Sequence, residues 1–423
     1  MTTQDFSTKE RLSAPSVLQN SNYRHFLASR TCSSLAFQSL TVAMGWMIYE
    51  LTGSAWMLGW IGFCQFLPML MLTFVVGTVA DRYDRRRIGL ICQWVEAATV
   101  LVLGLLVWRG SLTPTGILVA VSVMGAAQAF ERPTMASLVP GIVGPAMLQR
   151  AIATSTSFMQ TALIVGPALG GLLYGLGHLV PFVVSGLLFL AAGYSVGTIR
   201  VLTATPIARS PVSLRTVFAG VAFIRRTPAV LGMISLDLFA VLLGGATALL
   251  PIYASDILQA GPLGLGLLRA APAIGALGMS IMLGWMPIVS GAGRKMFAAV
   301  AVFGLATILF ALSRNVWLSI VALLVVGASD NISVVVRSSL VQLMTPDEMR
   351  GRVNAVNSLF IGTSNQLGEF ESGMMAGMMG PVAAGVIGGL GTLAVVAIWM
   401  TAFPVLRRIE RLDGRQDPIP KPR

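Results

Sequence analysis

Gly77-Thr-Val-Ala-Asp81-Arg82-Tyr-Asp84-Arg85-Arg86-Arg87 is the stretch that decides the fold class. It packs charge between two apolar runs: Ala55 to Val79 carries none, and neither does Ile88 to Val95. A cluster this sharp between runs of about 20–25 apolar residues marks a tight turn joining two helices. Each run is long enough to cross roughly 30 Å of hydrocarbon at about 1.5 Å per residue.

Composition extends that pattern to the whole chain. Of 423 residues, 55% are hydrophobic and 11% charged, against about 25% charged in soluble domains. Apolar runs predict spans at 25–50, 55–79, 88–108, 113–136, 150–175, 180–199, 228–253, 264–287, 295–313, 316–340, 353–378 and 382–405. The expected product is an all-α polytopic membrane protein of twelve transmembrane helices, with no appended soluble domain and both termini on one side. Its expected parts are an N-terminal tail (1–22), a six-helix bundle (23–200), a linker (201–227), a second six-helix bundle (228–406) and a C-terminal tail (407–423).

The net charge of +12 would suggest nucleic acid in a soluble protein. Here the basic residues sort by side. The turns on one side hold the 82–87 cluster, Arg132, Arg150, Arg200, Arg225, Arg226, Arg294, Lys295, Arg337, Arg350 and Arg352, together with both tails; the other side's turns hold Arg109 and Arg314. Basic residues stay cytoplasmic, so both termini are expected inside and no nucleic-acid partner is expected. The charge is a topology signal and an attraction to anionic lipid. The polar N-terminus lacks the pattern of a cleaved signal peptide. Cys32, Cys64 and Cys92 fall within predicted spans without metal-ligand spacing, and the two histidines are His25 and His178, so no metal and no cofactor are expected.

Two landmarks repeat. Gly284, with Arg294 and Lys295 after it, follows Gly77 and its arginines by 207 positions, and Arg337 follows Arg132 by 205. Nearly one offset at two places argues for a duplicated six-helix unit. Between the halves, Ser213 to Arg226 would form a short helix with Leu214, Val217, Phe218, Val221 and Ile224 on one face, suited to the membrane surface.

Twelve spans in two repeats, with Gly77-x-x-x-Asp81-Arg82-x-x-Arg85-Arg86 between the second and third, resemble the major facilitator superfamily; Asp84 stands where that family usually has glycine. On the fifth span, Ala162-x-x-x-Gly166-Pro167-Ala-Leu-Gly170-Gly171 resembles the superfamily's antiporter motif, with Ala162 for its first glycine. Thr345-Pro-Asp-Glu-Met-Arg-Gly-Arg352 and Gly368-Glu369-Phe-Glu371-Ser-Gly373 are similar to the enterobactin-exporter-like branch. The resemblance implies a secondary transporter exporting drug-like or siderophore-like molecules by alternating access. Its implied setting is a monomer in the bacterial inner membrane, with protons as the coupling ion. An importer or facilitator, or a non-transporting assembly factor or receptor on the same scaffold, are the alternatives.

Rocking between two states needs a latch that forms and breaks. Gly77, Asp81, Arg82, Arg85, Glu131 and Arg132 are its candidates. Asp81 would accept hydrogen bonds from a helix N-terminus in the other half, which the resemblance places on the eleventh span near Val353, and Arg85 would reach Glu131. Gly166, Pro167, Gly170 and Gly171 would bend the fifth span and smooth its packing face. Charges inside spans are costly, about 2.5–3.5 kcal/mol at the bilayer centre on insertion scales, and so mark function. Those singled out are Arg30, Glu96, Asp237, Asp330, Glu369 and Glu371, with Asp237 and Asp330 first because the resemblance puts the first, fourth, seventh and tenth spans on the central path. Glu369 and Glu371, two apart, would face different ways. Gln38, Thr41, Met44, Met124, Gln128, Thr247, Asn331 and Ser333 would give that path a mixed lining. No P-loop or nucleophile triad is visible, so no enzymatic activity is expected. A 100 mV potential supplies roughly 2.3 kcal/mol per charge moved, enough for export without ATP.

Overall fold

The computed structural model describes residues 17–200 and 214–410. The side chains of 73, 74, 77, 78, 80, 81, 214–217 and 246 are outside that description. The chain ends, most of the linker, and the Gly77 and Asp81 side chains therefore lie outside the described residues.

The described chain is helical. The first repeat runs through α1 (Ser21–Thr52), α2 (Ala55–Arg82), α3 (Arg85–Trp108), α4 (114–143), α5 (145–176) and α6 (Val180–Thr198); α7 (Leu214–Arg226) follows. The second repeat runs through α8 (Pro228–Leu243 and its continuation to 257), α9 (Gly261–Trp285), α10 (Ala292–Leu312), α11 (Val316–Met344), α12 (Asp347–Met379) and α13 (Pro381–Ala402). Among the described residues, nine helical stretches pass a length-and-hydropathy test for a membrane span; one of them, Pro114–Leu176, holds both α4 and α5. The more polar α1 and α12, of 32 and 33 residues, complete the twelve.

Local chemistry sets the turns. The charged turn is tighter than the sequence suggests: α2 runs to Arg82 and only Tyr83 and Asp84 separate it from α3. Asp84, the departure from glycine, caps α3 by accepting a hydrogen bond from the Arg86 N–H at 2.9 Å, a strong N-cap arrangement. The expected loop at 137–149 is helical except at Gly144, whose φ of 71° is cheap for glycine alone, and Pro145 begins α5. The seventh span, expected as one helix, breaks after Leu243 and resumes as short 3₁₀, α and π turns from Ala246 to Ile257. The break has a packing reason: a Cβ at Gly245 would lie 2.5 Å from the Gly368 carbonyl oxygen. The eleventh span starts at Asp347 rather than near Val353, after Pro346.

The repeat is legible in three dimensions. The Tyr49 hydroxyl donates to Asp256 Oδ2 at 2.5 Å, and these residues are 207 apart, the offset read from the sequence. Equivalent points of two repeats touch only near the axis that relates them, so α1 and α8 cross there. The α2–α12 and α5–α9 seams repeat one another. Gly59 and Gly373 meet in the first, and Gly171 and Gly266 in the second.

Call the face holding the 83–84 and 144 turns the terminal face, since both described chain ends lie there. Its opposite, with turns at 53–54, 109–113 and 313–315, is the far face. One apolar core joins both bundles toward the far face, containing Ile48, Leu58, Tyr174, Leu250, Tyr253, Leu265 and Ala376. Toward the terminal face the core splits. One part belongs to the first repeat (Tyr23, Phe26, Met135, Ile142) and another to the second (Met233, Phe297, Leu340, Val353). The bundles therefore diverge toward the terminal face. Helix α7 docks on α12: a Cβ at Gly220 would come within 2.8 Å of the Arg352 carbonyl oxygen, and Ile224 is buried. Phe218 on the same helix is 68% exposed.

Candidate functional site

Where the joint core ends, a small cavity of about 30 Å3 opens between the bundles. Phe37, Met44 and Met124 form apolar walls; Thr41, Gln65, Arg269 and Glu369 supply polar groups. Thr41, Met44 and Met124 are where the sequence put them. Arg269 is a charge that sequence reasoning missed. The signal was available, since it sits inside a predicted span between Gly264 and Gly275. Glu369 is the charge facing it. Among the described residues the ion pairs are Arg30–Glu131, His178–Glu50, Arg337–Asp237 and Arg350–Asp347; Arg269 and Glu369 do not close to that distance. Glu371, two residues on, points away, its carboxylate accepting from the Ser372 hydroxyl at 3.4 Å.

The first bundle holds a buried polar network. Glu131 on α4 accepts from Ser33 at 3.0 Å and from the Gln93 amide at 3.2 Å, and pairs with Arg30 at 3.9 Å. Gln93 also donates to Ser29 at 2.9 Å, so α1, α3 and α4 meet at one carboxylate. Glu96, one turn beyond Gln93, is fully buried, and neither of its oxygens has a hydrogen-bond partner in the protein. Arg132 donates to Gln128 at 2.7 Å and lies 6.0 Å above the Phe37 ring, which brings it to the cavity wall.

This corrects two expectations for the latch. Arg85 does not reach Glu131; it donates to the Ser137 carbonyl at 3.5 Å. The reason is depth: Glu131 lies six residues, about 9 Å of helix, further into the bundle and is already satisfied by α1 and α3. Arg132 likewise turns inward. Arg86 ties α3 to α6 by donating to the Ile199 carbonyl at 2.8 Å, while Arg82 is exposed. Arg85→Ala should therefore lower the melting temperature in detergent by less than about 2 °C, whereas Glu131→Ala, which takes the partner from half-buried Arg30 and leaves the Ser33 and Gln93 donors unmet, should cost about 1–3 kcal/mol.

The second bundle mirrors this with its polarity reversed. Asp237 on α8 pairs with Arg337 on α11. Asp237 follows Arg30 by 207 positions, and Arg337 follows Arg132 by 205. Asp330, two turns above Arg337, shares a small cavity with Asp237, Phe303 and Ser333. Two carboxylates thus have one arginine between them. Asn331 instead donates to Ser280 at 2.9 Å.

The fifth-span motif is a seam. Cβ atoms at Gly170 and Gly171 would collide with the Ser39 and Pro262 carbonyl oxygens, and one at Gly166 would lie 2.5 Å from Gln38 Cβ. Gly166 and Pro167 keep helical geometry, and the break inside 114–176 falls at Gly144, so these residues let α1 and α9 approach instead of breaking α5. On the far face, Glu50 accepts from the Tyr174 hydroxyl at 2.6 Å and faces His178 Nε2 at 3.7 Å. Glu50 and Asp256 were also missed from sequence.

Comparison with known proteins places this geometry. The family described as transmembrane secretion effector matches residues 12–422. The enterobactin exporter EntS of Citrobacter koseri is 26% identical over 417 residues, covering 94% of this chain and 95% of that one. Among solved structures, a bacterial homolog of the human lysosomal transporter Spinster, inward-facing and occupied, superposes with a TM-score of 0.73 at 15% identity over 96% of this chain and 100% of that one. The nucleoside transporter NupG gives 0.72 at 15% identity over 90% and 99%.

Proposed function

The chain belongs to the transmembrane secretion effector family, within the major facilitator superfamily, and on that premise we propose that it exports a small amphipathic molecule by alternating access, driven by proton antiport. It is a multi-pass membrane transporter of small molecules and not an enzyme. The observation that carries the finer proposal is the divided core. The bundles are fused toward the far face and separate toward the terminal face, with a polar cavity at the fork. The terminal face carries the arginine-rich turns and is assigned to the cytoplasm, with both termini. The cavity then loads from inside, as an exporter requires. The EntS relatives bear the name of an enterobactin exporter, which supports a siderophore-like substrate in this chain. The gating role of Asp81 and its arginines belongs to the same proposal, supported by the shortness of the 83–84 turn.

Asp330 is the proposed proton carrier. It competes with Asp237 for Arg337, so taking up a proton leaves the Asp237–Arg337 pair intact, and losing one asks Arg337 to serve both. Everted membrane vesicles energised by a proton gradient test this with a panel of amphipathic acids and phenols. The wild type should accumulate at least one compound with release of lumenal protons, and Asp330→Asn should cut that release at least tenfold. Equal proton release by the variant would overturn the assignment, and no accumulation of any compound would count against export.

A further inference from the structure

We propose that Arg269 is the substrate anchor of the central cavity, and that the ligand it selects is an amphipathic organic anion. The proposal rests on the export proposal for its physiological meaning, but its chemistry stands on the cavity alone. Arg269 lines the cavity with its Nε shut off from solvent and without a hydrogen-bond partner in the protein. A guanidinium within a membrane protein is costly unless its donors are met. The other embedded arginines have close side-chain partners: Arg337 pairs with Asp237, Arg30 pairs with Glu131, and Arg132 has Gln128 and Phe37. Arg269 has only Glu369, which faces it without closing to an ion pair.

The repeat sharpens the contrast. The position 207 before Arg269 is Gly62, which packs directly against α12, where a Cβ would lie 3.1 Å from Glu369 Cβ. So Arg269 has no counterpart in the first bundle and is not part of the duplicated scaffold. An unpaired guanidinium beside walls of Phe37, Met44 and Met124 describes a ligand with a carboxylate or acidic phenol on an apolar body. The guanidinium would bind its oxygens, and the apolar walls would bury the rest. Glu369 repels the same anion, so it tunes affinity instead of supplying it.

Full-length protein in nanodiscs can be titrated with two fluorescent probes that differ at one group, dansylglycine and its neutral amide. The wild type should prefer the carboxylate at least tenfold. Arg269→Gln should erase that preference while changing amide affinity less than twofold; Arg269→Lys should keep part of it. Glu369→Gln should tighten the carboxylate further without affecting the amide. Equal binding of both probes by the wild type, binding of neither, or a preference that survives in Arg269→Gln would each overturn the proposal. None of these readouts requires transport, so loss of the export reading in vesicles would leave the anion preference standing.

Discussion

Arg337→Gln should be the most destabilising single exchange among the embedded charges, lowering stability by about 3–5 kcal/mol. The variant leaves Asp237 buried without its cation, and Asp330 sits in the same small cavity. Removing one partner of a buried pair costs far more than the pair contributes when intact. The double variant Asp237→Asn, Arg337→Gln should recover most of the loss, because two neutral amides can hydrogen-bond each other. Thermal unfolding in one detergent, read for both singles and the double, gives the coupling directly. Additive losses would mean the two residues do not act as a pair. Arg30 and Glu131 should show the same non-additivity with the charges exchanged between helices.

Gly171→Val should have the largest effect on conformation. Its side chain would drive into the Pro262 carbonyl and toward Gly266, across the α5–α9 seam. Neither contact can yield cheaply, since both are backbone. The seam is one of the two places where glycine lets the bundles touch toward the far face, so the variant should part them there and close them at the terminal face. Transport should fall at least tenfold. A cysteine placed at Gln65, on the cavity wall, should become reactive to an impermeant maleimide from outside the cell, which it should not be in the parent. Gly170→Val, by contrast, collides with Ser39 within the first bundle and should reduce folded yield without changing which side labels.

The helices were legible in the sequence because the bilayer leaves a span few alternatives: about twenty apolar residues must be helical and must end near charge. The same physics hid the exceptions. Residues 137–149 looked like a loop because of Pro140 and Pro145, yet Pro140 is accommodated within α4 and Gly144 makes the turn alone. The break at Gly244–Gly245 was invisible because it is set by what packs against it, the backbone of α12. Of the charges singled out inside spans, Arg30 and Asp237 lie in buried ion pairs, Asp330 and Glu369 line cavities, Glu96 is buried without a hydrogen-bond partner, and Glu371 turns to Ser372. Spacing could not say which pairs form, because partners come from different helices: Arg85 is separated from Glu131 by depth, not by sequence. Gln93, the organiser of the first network, gave no signal because it carries no charge; Arg269 did carry one, inside a predicted span.

Alternating access requires the two bundles to rock in opposite senses at the two faces. Spin labels at Arg109 and Arg314 on the far face, and at Arg87 and Arg350 on the terminal face, all exposed positions, measure both gaps by pulsed dipolar spectroscopy after Cys32, Cys64 and Cys92 are replaced. In nanodiscs, with and without dansylglycine and between pH 5 and pH 8, the far-face distance should lengthen in the same conditions that shorten the terminal-face distance, and Gly171→Val should hold the protein at that end of the exchange. Distances fixed on both faces, or rising and falling together, would contradict alternating access by this chain.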